Sequence, residues 1–339
     1  MTIISLSDFS TVSSLPVGCV AALGFFDGLH IGHRAITDAA IEAAEKADTY
    51  PVVWMISRSE GNFKGNPSLL STEEEKLRLL AEAGIRYAVI SPFDHIRSMN
   101  GYEFVKDVLC DALSLSGVVC GFNFRFGKGA VCGTEDLQKF SSDCSMTCTV
   151  VPPVILDGAP VSSSRIRSLI ADGNVSNAAK LIGRPYSFEL PVVHGKMLGR
   201  TLGFPTVNQL IPRSLACPAK GVYAVAVTLS ENGTERTYPG AANIGVCPTV
   251  TDEVLAEAGL TKRHPGAADA DHPVCETYID GFSGDLYGKN IKLSFIERIR
   301  GEVKFDSIDE LSERIRRDAE SATHIFTEKY LKNEKRKEC

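Results

Sequence analysis

The run Gly24-Phe25-Phe26-Asp27-Gly28-Leu29-His30-Ile31-Gly32-His33 sets two imidazoles three residues apart among glycines. It follows an apolar stretch from Val17 to Leu23 and precedes an alanine-rich one. That order predicts a buried strand ending at Gly24, a turn through Asp27 and Gly28, and a helix starting near Gly32 that carries both rings in its first turn. A helix start offers free N–H groups and the positive end of the helix dipole, and glycines let a polyphosphate approach the backbone closely. The chemistry this suits is nucleotide binding. A zinc half-site has the same His-x-x-His spacing, but no third His or Cys lies at the usual distance along the chain.

A second candidate is Gly195-Lys196-Met197-Leu198-Gly199-Arg200-Thr201-Leu202-Gly203-Phe204-Pro205-Thr206-Val207-Asn208. Gly195, Gly199 and Gly203 permit close approach to phosphates, and Lys196 and Arg200 supply positive charge. The hydroxyl of Thr206 and the amide carbonyl of Asn208 are hard oxygen donors of the kind Mg²⁺ prefers. The segment falls between antiparallel strands, which excludes a Walker loop; read without chemistry, it is a Gly/Pro-rich connection.

Two kinds of framework must position these groups. From Val17 to about Val151, short apolar runs (Val52–Ile56, Tyr87–Ile90, Gly117–Cys120) alternate with helical ones (Thr72–Ala83, Tyr102–Leu113), the pattern of βαβ units around a parallel sheet. Ligands on such sheets sit at the carboxyl ends of strands, where the His30/His33 turn falls, as does the loop Gly121–Gly127 with Asn123. Helices are expected over Ser162–Ala171 and Asn174–Ile182, each stopped by a glycine. Beyond a boundary near Arg184–Ser187, period-two patterning predicts strands over 188–194, 222–229, 236–244, 274–282 and 291–297, with Asn232-Gly233 as a hairpin turn. A helix from about Ser307 to Leu331 closes the chain, with Ile308, Leu311, Ile315, Ala319, Ala322 and Phe326 on one stripe.

Length and composition agree with two soluble domains: 339 residues, 36 basic against 42 acidic side chains, and a net charge of −6. No basic face marks a nucleic-acid binder, no stretch reaches the ~20 apolar residues of a membrane span, and no secretory leader is recognisable. The ten cysteines show no CxxC pairing, so reduced thiols and a cytoplasmic location are expected. Nothing in the sequence specifies an oligomeric state.

The first segment resembles the HxGH signature of nucleotidyltransferases related to class I aminoacyl-tRNA synthetases, in the spelling closest to bacterial-type FAD synthetases. The second resembles the riboflavin kinase fingerprint Gly-x-x-x-Gly-Arg-x-x-Gly-Phe-Pro-Thr-x-Asn. Further matches follow in order: Gly221-Val222-Tyr223, Asn243-Ile244-Gly245, Glu276 opening Glu-Thr-Tyr-Ile-Asp, Asp285-Leu286-Tyr287-Gly288, Ile299-Arg300 and Lys304-Phe305. Val161–Arg167 is similar to the Ser-Ser-Thr-x-Ile-Arg element of the same group. From about Val17 to Phe326 the chain is identified as a member of the bacterial-type bifunctional riboflavin kinase/FMN adenylyltransferase family.

That resemblance implies an α/β nucleotidyltransferase domain with a Rossmann-like parallel sheet over residues 1–185. An antiparallel riboflavin-kinase β-barrel with a C-terminal helix would follow over 186–339. Riboflavin would be phosphorylated to FMN with ATP, and FMN adenylylated to FAD with release of pyrophosphate. It implies Thr206 and Asn208 as holders of Mg²⁺ and ATP phosphates, Glu276 as the base, and Arg300 near the flavin. His30 and His33 would contact the triphosphate, with Gly24, Phe26, Asp27, Gly28 and Gly32 shaping their turn. Asn123 would line the nucleotide or flavin pocket. Ser163, Ser164, Arg165 and Arg167 would hold the departing pyrophosphate, and Gly195, Lys196, Gly199, Arg200, Gly203 and Pro205 the kinase phosphates. ATP and flavins are the expected partners, with no nucleic acid and no membrane.

The chain departs from the family's pattern at Ile56–Glu60, where an acidic-Pro-His-Pro run is common and Arg58 offers a different charge. It departs again at Cys247, where arginine is common, at Leu190-Pro191, and over the long connection Thr251–His272. These departures keep open a kinase whose first domain only binds flavin or regulates. The histidines and aspartates of that connection, His264, Asp269, Asp271 and His272, are expected on a surface loop.

Overall fold

The computed structural model describes every residue except 6–14, 58–67, 196–202, 232, 248–251, 261–271 and 333–339. Two compact units result, Met1–Pro67 with Thr72–Ser163, and Ser68–Ser71 with Ser164–Cys339.

The first unit is a six-stranded parallel sheet. Its strands are β1 (Thr2–Ser5), β2 (Val20–Gly24), β3 (Pro51–Ser57), β4 (Tyr87–Pro92), β5 (Gly117–Gly121) and β6 (Thr147–Val151), in spatial order β1-β4-β3-β2-β5-β6. Because side chains alternate along a strand, the sheet feeds two cores. Ala21, Leu23, Val52, Trp54, Val118 and Cys120 face Phe104, Val108 and Leu109 of the helical stretch 101–112. Val20, Ala22, Val53, Met55 and Val119 face helices α1 (Ile31–Lys46) and α2 (Glu73–Glu82). On α1 the buried positions Ile36, Thr37, Ala40 and Ala44 are mostly small, so the helix can sit close to the strands. Strand order reverses at β2, which pairs with β3 on one side and β5 on the other. The crevice beyond the ends of β2 and β5 is therefore the ligand position of this architecture. The turn with the histidines leaves β2, and the Asn123 loop leaves β5.

After a short hairpin, β7 (Ile155–Leu156) and β8 (Ala159–Pro160), helices Ser163–Ala171 and Val175–Ile182 follow. The latter ends on Gly183 at φ 84°, the expected glycine stop, and packs on strands of the second unit. By its contacts the helical pair therefore goes with the second unit, although its sequence pattern continues that of the first.

The second unit is a six-stranded antiparallel sheet of β9 (Tyr186–Pro191), β10 (Thr206–Leu210), β11 (Gly221–Glu231), β12 (Thr234–Cys247), β13 (His272–Ile279) and β14 (Asn290–Arg300), in order β10-β13-β12-β11-β14-β9. The β11–β12 register closes at Glu231↔Thr234 with Gly233 at φ 78°, a two-residue hairpin at the expected place; Asn232 lies outside the described residues. The sheet curls until its edges meet. Val193 bridges Asn208, and the buried Gln209 amide nitrogen donates to the carbonyls of Leu190 (2.6 Å) and Ile291 (3.0 Å).

The C-terminal helix Ile308–Ile325, capped by Ser307, continues through Phe326–Leu331 and packs on β11, β12 and β14. Its expected stripe is altered in one respect. Asp318, Ala322 and Phe326 are buried, whereas Ile308 is 70 % exposed and Ala319 only partly covered. The first turns overhang a cavity instead of the sheet, and a carboxylate holds the central inward position.

Candidate active sites

In the first unit the turn after β2 is built by unusual backbone angles. Phe26 (φ 52°) and Leu29 (φ 37°) are left-handed without being glycine, and Gly28 joins them at φ 73°. Such angles cost energy and persist where the surroundings over-determine them, commonly at ligand sites. Here Phe26 and Leu29 are fully buried, and a Cβ on Gly24 would meet the Phe26 ring at 3.0 Å.

His30 stands just outside α1 as its N-cap, and only His33 lies within the first turn. The Nδ1 of His30 accepts the backbone N–H of His33 (3.2 Å). A neutral ring that accepts at Nδ1 carries its proton at Nε2, so the cap favours that tautomer. One of the helix-start N–H groups expected to greet an anion is thus already used. The two rings stack, with centroids 3.6 Å apart and planes 14° from parallel, and Phe26 meets His33 edge-on at 5.4 Å. Gly32 gives this packing room, since a Cβ there would lie 3.2 Å from the His30 ring and press on it. The Nδ1 of His33 is buried with no hydrogen-bond partner among the described residues. Burial, then His30 and Lys76, push His33 well below the ordinary imidazole value, so the ring is neutral at pH 7.

Ser163 reaches the same turn through a hydrogen bond from its Oγ to the Asp27 carbonyl (3.4 Å). Asn123, on the loop leaving β5, lines a pocket of about 480 Å³ with Phe122, Phe124, Arg125 and Thr134. Ser164, Arg165 and Arg167 belong to the second unit, where Arg167 Nε donates to the Ser68 carbonyl (2.8 Å) and Nη1 to Ser164 Oγ (3.4 Å).

In the second unit the strands themselves assemble the chemistry. Glu276 lies on β13 directly between Asn208 of β10 and Asn243 of β12, and Thr206 pairs with Tyr278 two positions along. Inward neighbours Cys275, Thr277 and Ile279 fill the core, so alternation turns Glu276 and Tyr278 outward. A cavity of about 580 Å³ opens there; Thr206, Glu276, Asn243, Arg300, Phe305 and Asp318 line it. Glu276 is on an interior strand, between β10 and β12, not at an edge of the sheet. Phe204 and Tyr278 meet edge to face (5.4 Å, 75°) at one wall. Gly203 takes φ 80° before Pro205 leads into β10.

Thr206 and Asn208, expected on a loop, are strand residues. Asn208 is largely covered because Gly195 packs against it: a Cβ at Gly195 would fall 2.3 Å from its Nδ2. The lead-in is held by His194, whose backbone N–H donates to Glu257 Oε2 (3.1 Å) and whose ring stacks on Tyr287 at 4.0 Å. Lys196, Gly199 and Arg200 lie outside the described residues, as do Arg58 to Glu60, His264, Asp269 and Asp271.

Each nitrogen of the Arg300 fork is engaged. Nε (2.9 and 3.2 Å) and Nη2 (2.7 Å) donate to the Asp318 carboxylate, and Nη1 donates to the Gly301 carbonyl (2.9 Å). Arg314 Nε stands 3.3 Å from the same carboxylate, near enough to share its charge but outside hydrogen-bond geometry.

Three residues escaped the sequence reading. Asp318 left a trace, because it sits three residues after Ile315 and four before Ala322, on the apolar stripe. Lys76 left a similar one, three and four residues before the buried pair Leu79 and Leu80. Tyr278 stood inside the Glu-Thr-Tyr-Ile-Asp match without a role of its own. Among the described residues no three His, Cys, Asp or Glu side chains are grouped to hold a metal.

Comparison with known proteins matches each unit's chemistry. The riboflavin kinase family model matches residues 182–326 and the FAD synthetase model residues 13–165. A bifunctional riboflavin kinase/FMN adenylyltransferase from Escherichia coli (strain K12) is 35 % identical over 315 residues, covering 91 % of this chain and 93 % of the relative. One of the same description from Bacillus subtilis (strain 168) is 31 % identical over 313 residues, covering 91 % and 92 %. A crystal structure of a macrolide-efflux protein from Streptococcus pneumoniae superposes with a TM-score of 0.80 at 29 % identity, covering 96 % of this chain and 99 % of that one. Among the described residues no helix is long and apolar enough to cross a membrane.

Proposed function

Since the chain belongs to the bifunctional riboflavin kinase/FMN adenylyltransferase family and makes FMN from riboflavin and FAD from FMN, both with ATP, we propose how its residues divide the work. Kinase chemistry is assigned to residues 186–339 and adenylyl transfer to 1–185. The observation that carries the kinase assignment is Glu276 on an interior strand, in register with Asn208 and Asn243 and open to the large cavity.

In that cavity Glu276 would accept the proton of the ribityl 5′-hydroxyl as it attacks the γ-phosphate of ATP. Mg²⁺ when bound would neutralise phosphate charge. The oxygen donors of Thr206 and Asn208 suit it, and with no three-ligand acidic cluster among the described residues its other ligands would be phosphates and water. Gly195, Lys196, Gly199, Arg200, Gly203 and Pro205 would cradle the phosphate chain, while Arg300 closes the flavin side.

In the first unit the FMN phosphate would attack the α-phosphorus of ATP directly, with pyrophosphate leaving and no covalent enzyme intermediate. Positioning and charge must then supply the rate. The Nε2–H of His30 and the neutral ring of His33 are hydrogen-bonding groups for phosphate oxygens, framed by Gly24, Phe26, Asp27, Gly28 and Gly32. Asn123 would line the nucleotide or flavin pocket. Ser163 and Ser164 would steady the leaving group, and Arg165 and Arg167 neutralise it; their planar forks match phosphate oxygens. The partners are ATP and flavins. Eight cysteines, from Cys19 to Cys275, are free thiols, which fits a reducing compartment, and we place the enzyme in the cytoplasm.

The test is a time course with riboflavin and Mg-ATP, the flavins separated by chromatography. FMN should rise first and fall as FAD and pyrophosphate accumulate. FMN that accumulates without FAD would leave only the kinase, with a regulatory first domain.

A further inference from the structure

Helix α2 presents its charges in two opposite ways. Thr72 caps it, Glu73 and Glu74 stand in solvent, and Glu75 pairs with Arg78 (2.8 Å) on the surface. Lys76, the next residue, turns inward. It is only 4 % exposed, its Nζ lies 4.2 Å from the centroid of the Phe25 ring, and the helix packs on the turn Asp27–Leu29. A buried ammonium is costly, and lysine at a helix start next to three glutamates has an easy route to water. This one instead faces the turn on which both imidazoles stand. His33 brings no charge of its own: burial holds it neutral, with His30 and Lys76 adding to the effect. A triphosphate carries several negative charges, and the imidazoles of this turn cannot balance them alone.

We propose that Lys76 is a further catalytic residue of the adenylyl-transfer site, its ammonium supplying the fixed positive charge that the ATP phosphates meet at the His30/His33 turn. This rests on the adenylyltransferase reading of the first unit. The Phe25 ring beneath it, 4.2 Å from Nζ, is a suitable seat, because an aromatic face attracts an ammonium.

The experiment uses the full chain and both of its reactions. With FMN and Mg-ATP supplied, Lys76→Met should lower kcat/KM for FAD formation on the order of 10²-fold, the usual effect of removing one preorganised electrostatic contact. Riboflavin phosphorylation by the same preparation should be unchanged, which controls for folding. Lys76→Arg, which keeps the charge, should retain most of the activity. A second readout separates charge from packing. Losing the neighbouring cation raises the pKa of His33, so the acid limb of the FAD-forming pH profile should move to higher pH in Lys76→Met but not in Lys76→Arg. Equal losses in both variants with an unmoved acid limb, or no loss in either, would overturn the proposal. A wild-type chain inert on FMN and ATP would overturn the adenylyltransferase reading together with it. An active wild type with an unaffected Lys76→Met would overturn the proposal alone.

Discussion

Replacing Asp318 by alanine removes the carboxylate that ties the C-terminal helix to the end of β14. Three Arg300 hydrogen bonds end on it, at 2.7 to 3.2 Å, and the Asp318 side chain is 6 % exposed. Deleting one partner of a fully buried ion pair costs about 3–5 kcal/mol, because the other charge is abandoned in a poor solvent. The Arg300 side chain keeps 13 % exposure, so water can reach its edge, and the lower end of that range, about 3 kcal/mol, is expected. For a unit of this size each kcal/mol moves the melting midpoint by about 2–4 °C, so Asp318→Ala should melt roughly 6–12 °C lower. Asp318→Asn keeps the shape and one acceptor and should fall between. Because Arg300 and Asp318 line the kinase cavity, KM for riboflavin should rise about tenfold, equivalent to ~1.4 kcal/mol. Differential scanning fluorimetry and steady-state riboflavin phosphorylation measure the two effects, with FAD formation from supplied FMN as the control. A variant that melts like the parent and keeps its KM would refute the idea that this pair holds the cavity wall.

Exchanging His30 and His33 together for alanine should abolish FAD formation and spare FMN formation, read from the flavin time course; persistent FAD would remove the histidines from the mechanism. Glu276→Ala should lower FMN formation by about 10²–10⁴-fold, the range of general-base contributions, while FAD still forms from added FMN. His33 also predicts a pH dependence. Its native pKa lies well below 6.5, the value of the unfolded ring, so the unfolded chain binds more protons once the pH drops below about 6.5. The stability His33 contributes is complete above that value and is lost as pH falls toward the native pKa. His33→Gln should flatten the melting-temperature slope in that window, and imidazole NMR shifts should report a neutral ring at pH 6.5.

The parallel sheet and the barrel strands were legible because alternating apolar runs leave little choice of face. β1 was not: at Thr2–Ser5 only Ile4 is buried, so an edge strand of four residues shows no period. β10 was hidden inside a glycine-rich segment that reads as loop; what makes it a strand is pairing with β13, a contact sixty and more residues away. The unit to which residues 164–182 attach depends on packing against β14 and β9, which local propensity does not encode. At the sites, residue types with motif spacing were visible. Lys76 and Asp318 required knowing which way a charged residue faces, and the tertiary structure decides that.

The stacked imidazoles have a consequence for metal ions. Lone pairs of an imidazole lie in its ring plane, and planes 14° from parallel at 3.6 Å separation send them side by side. Zinc needs its nitrogen donors to converge on one point about 2.0–2.1 Å away. A stray transition-metal ion could be chelated by this pair only by unstacking the rings and breaking the N-cap of α1. The turn thus resists poisoning by zinc through its own helix stability, although its two histidines have the spacing of a zinc ligand pair.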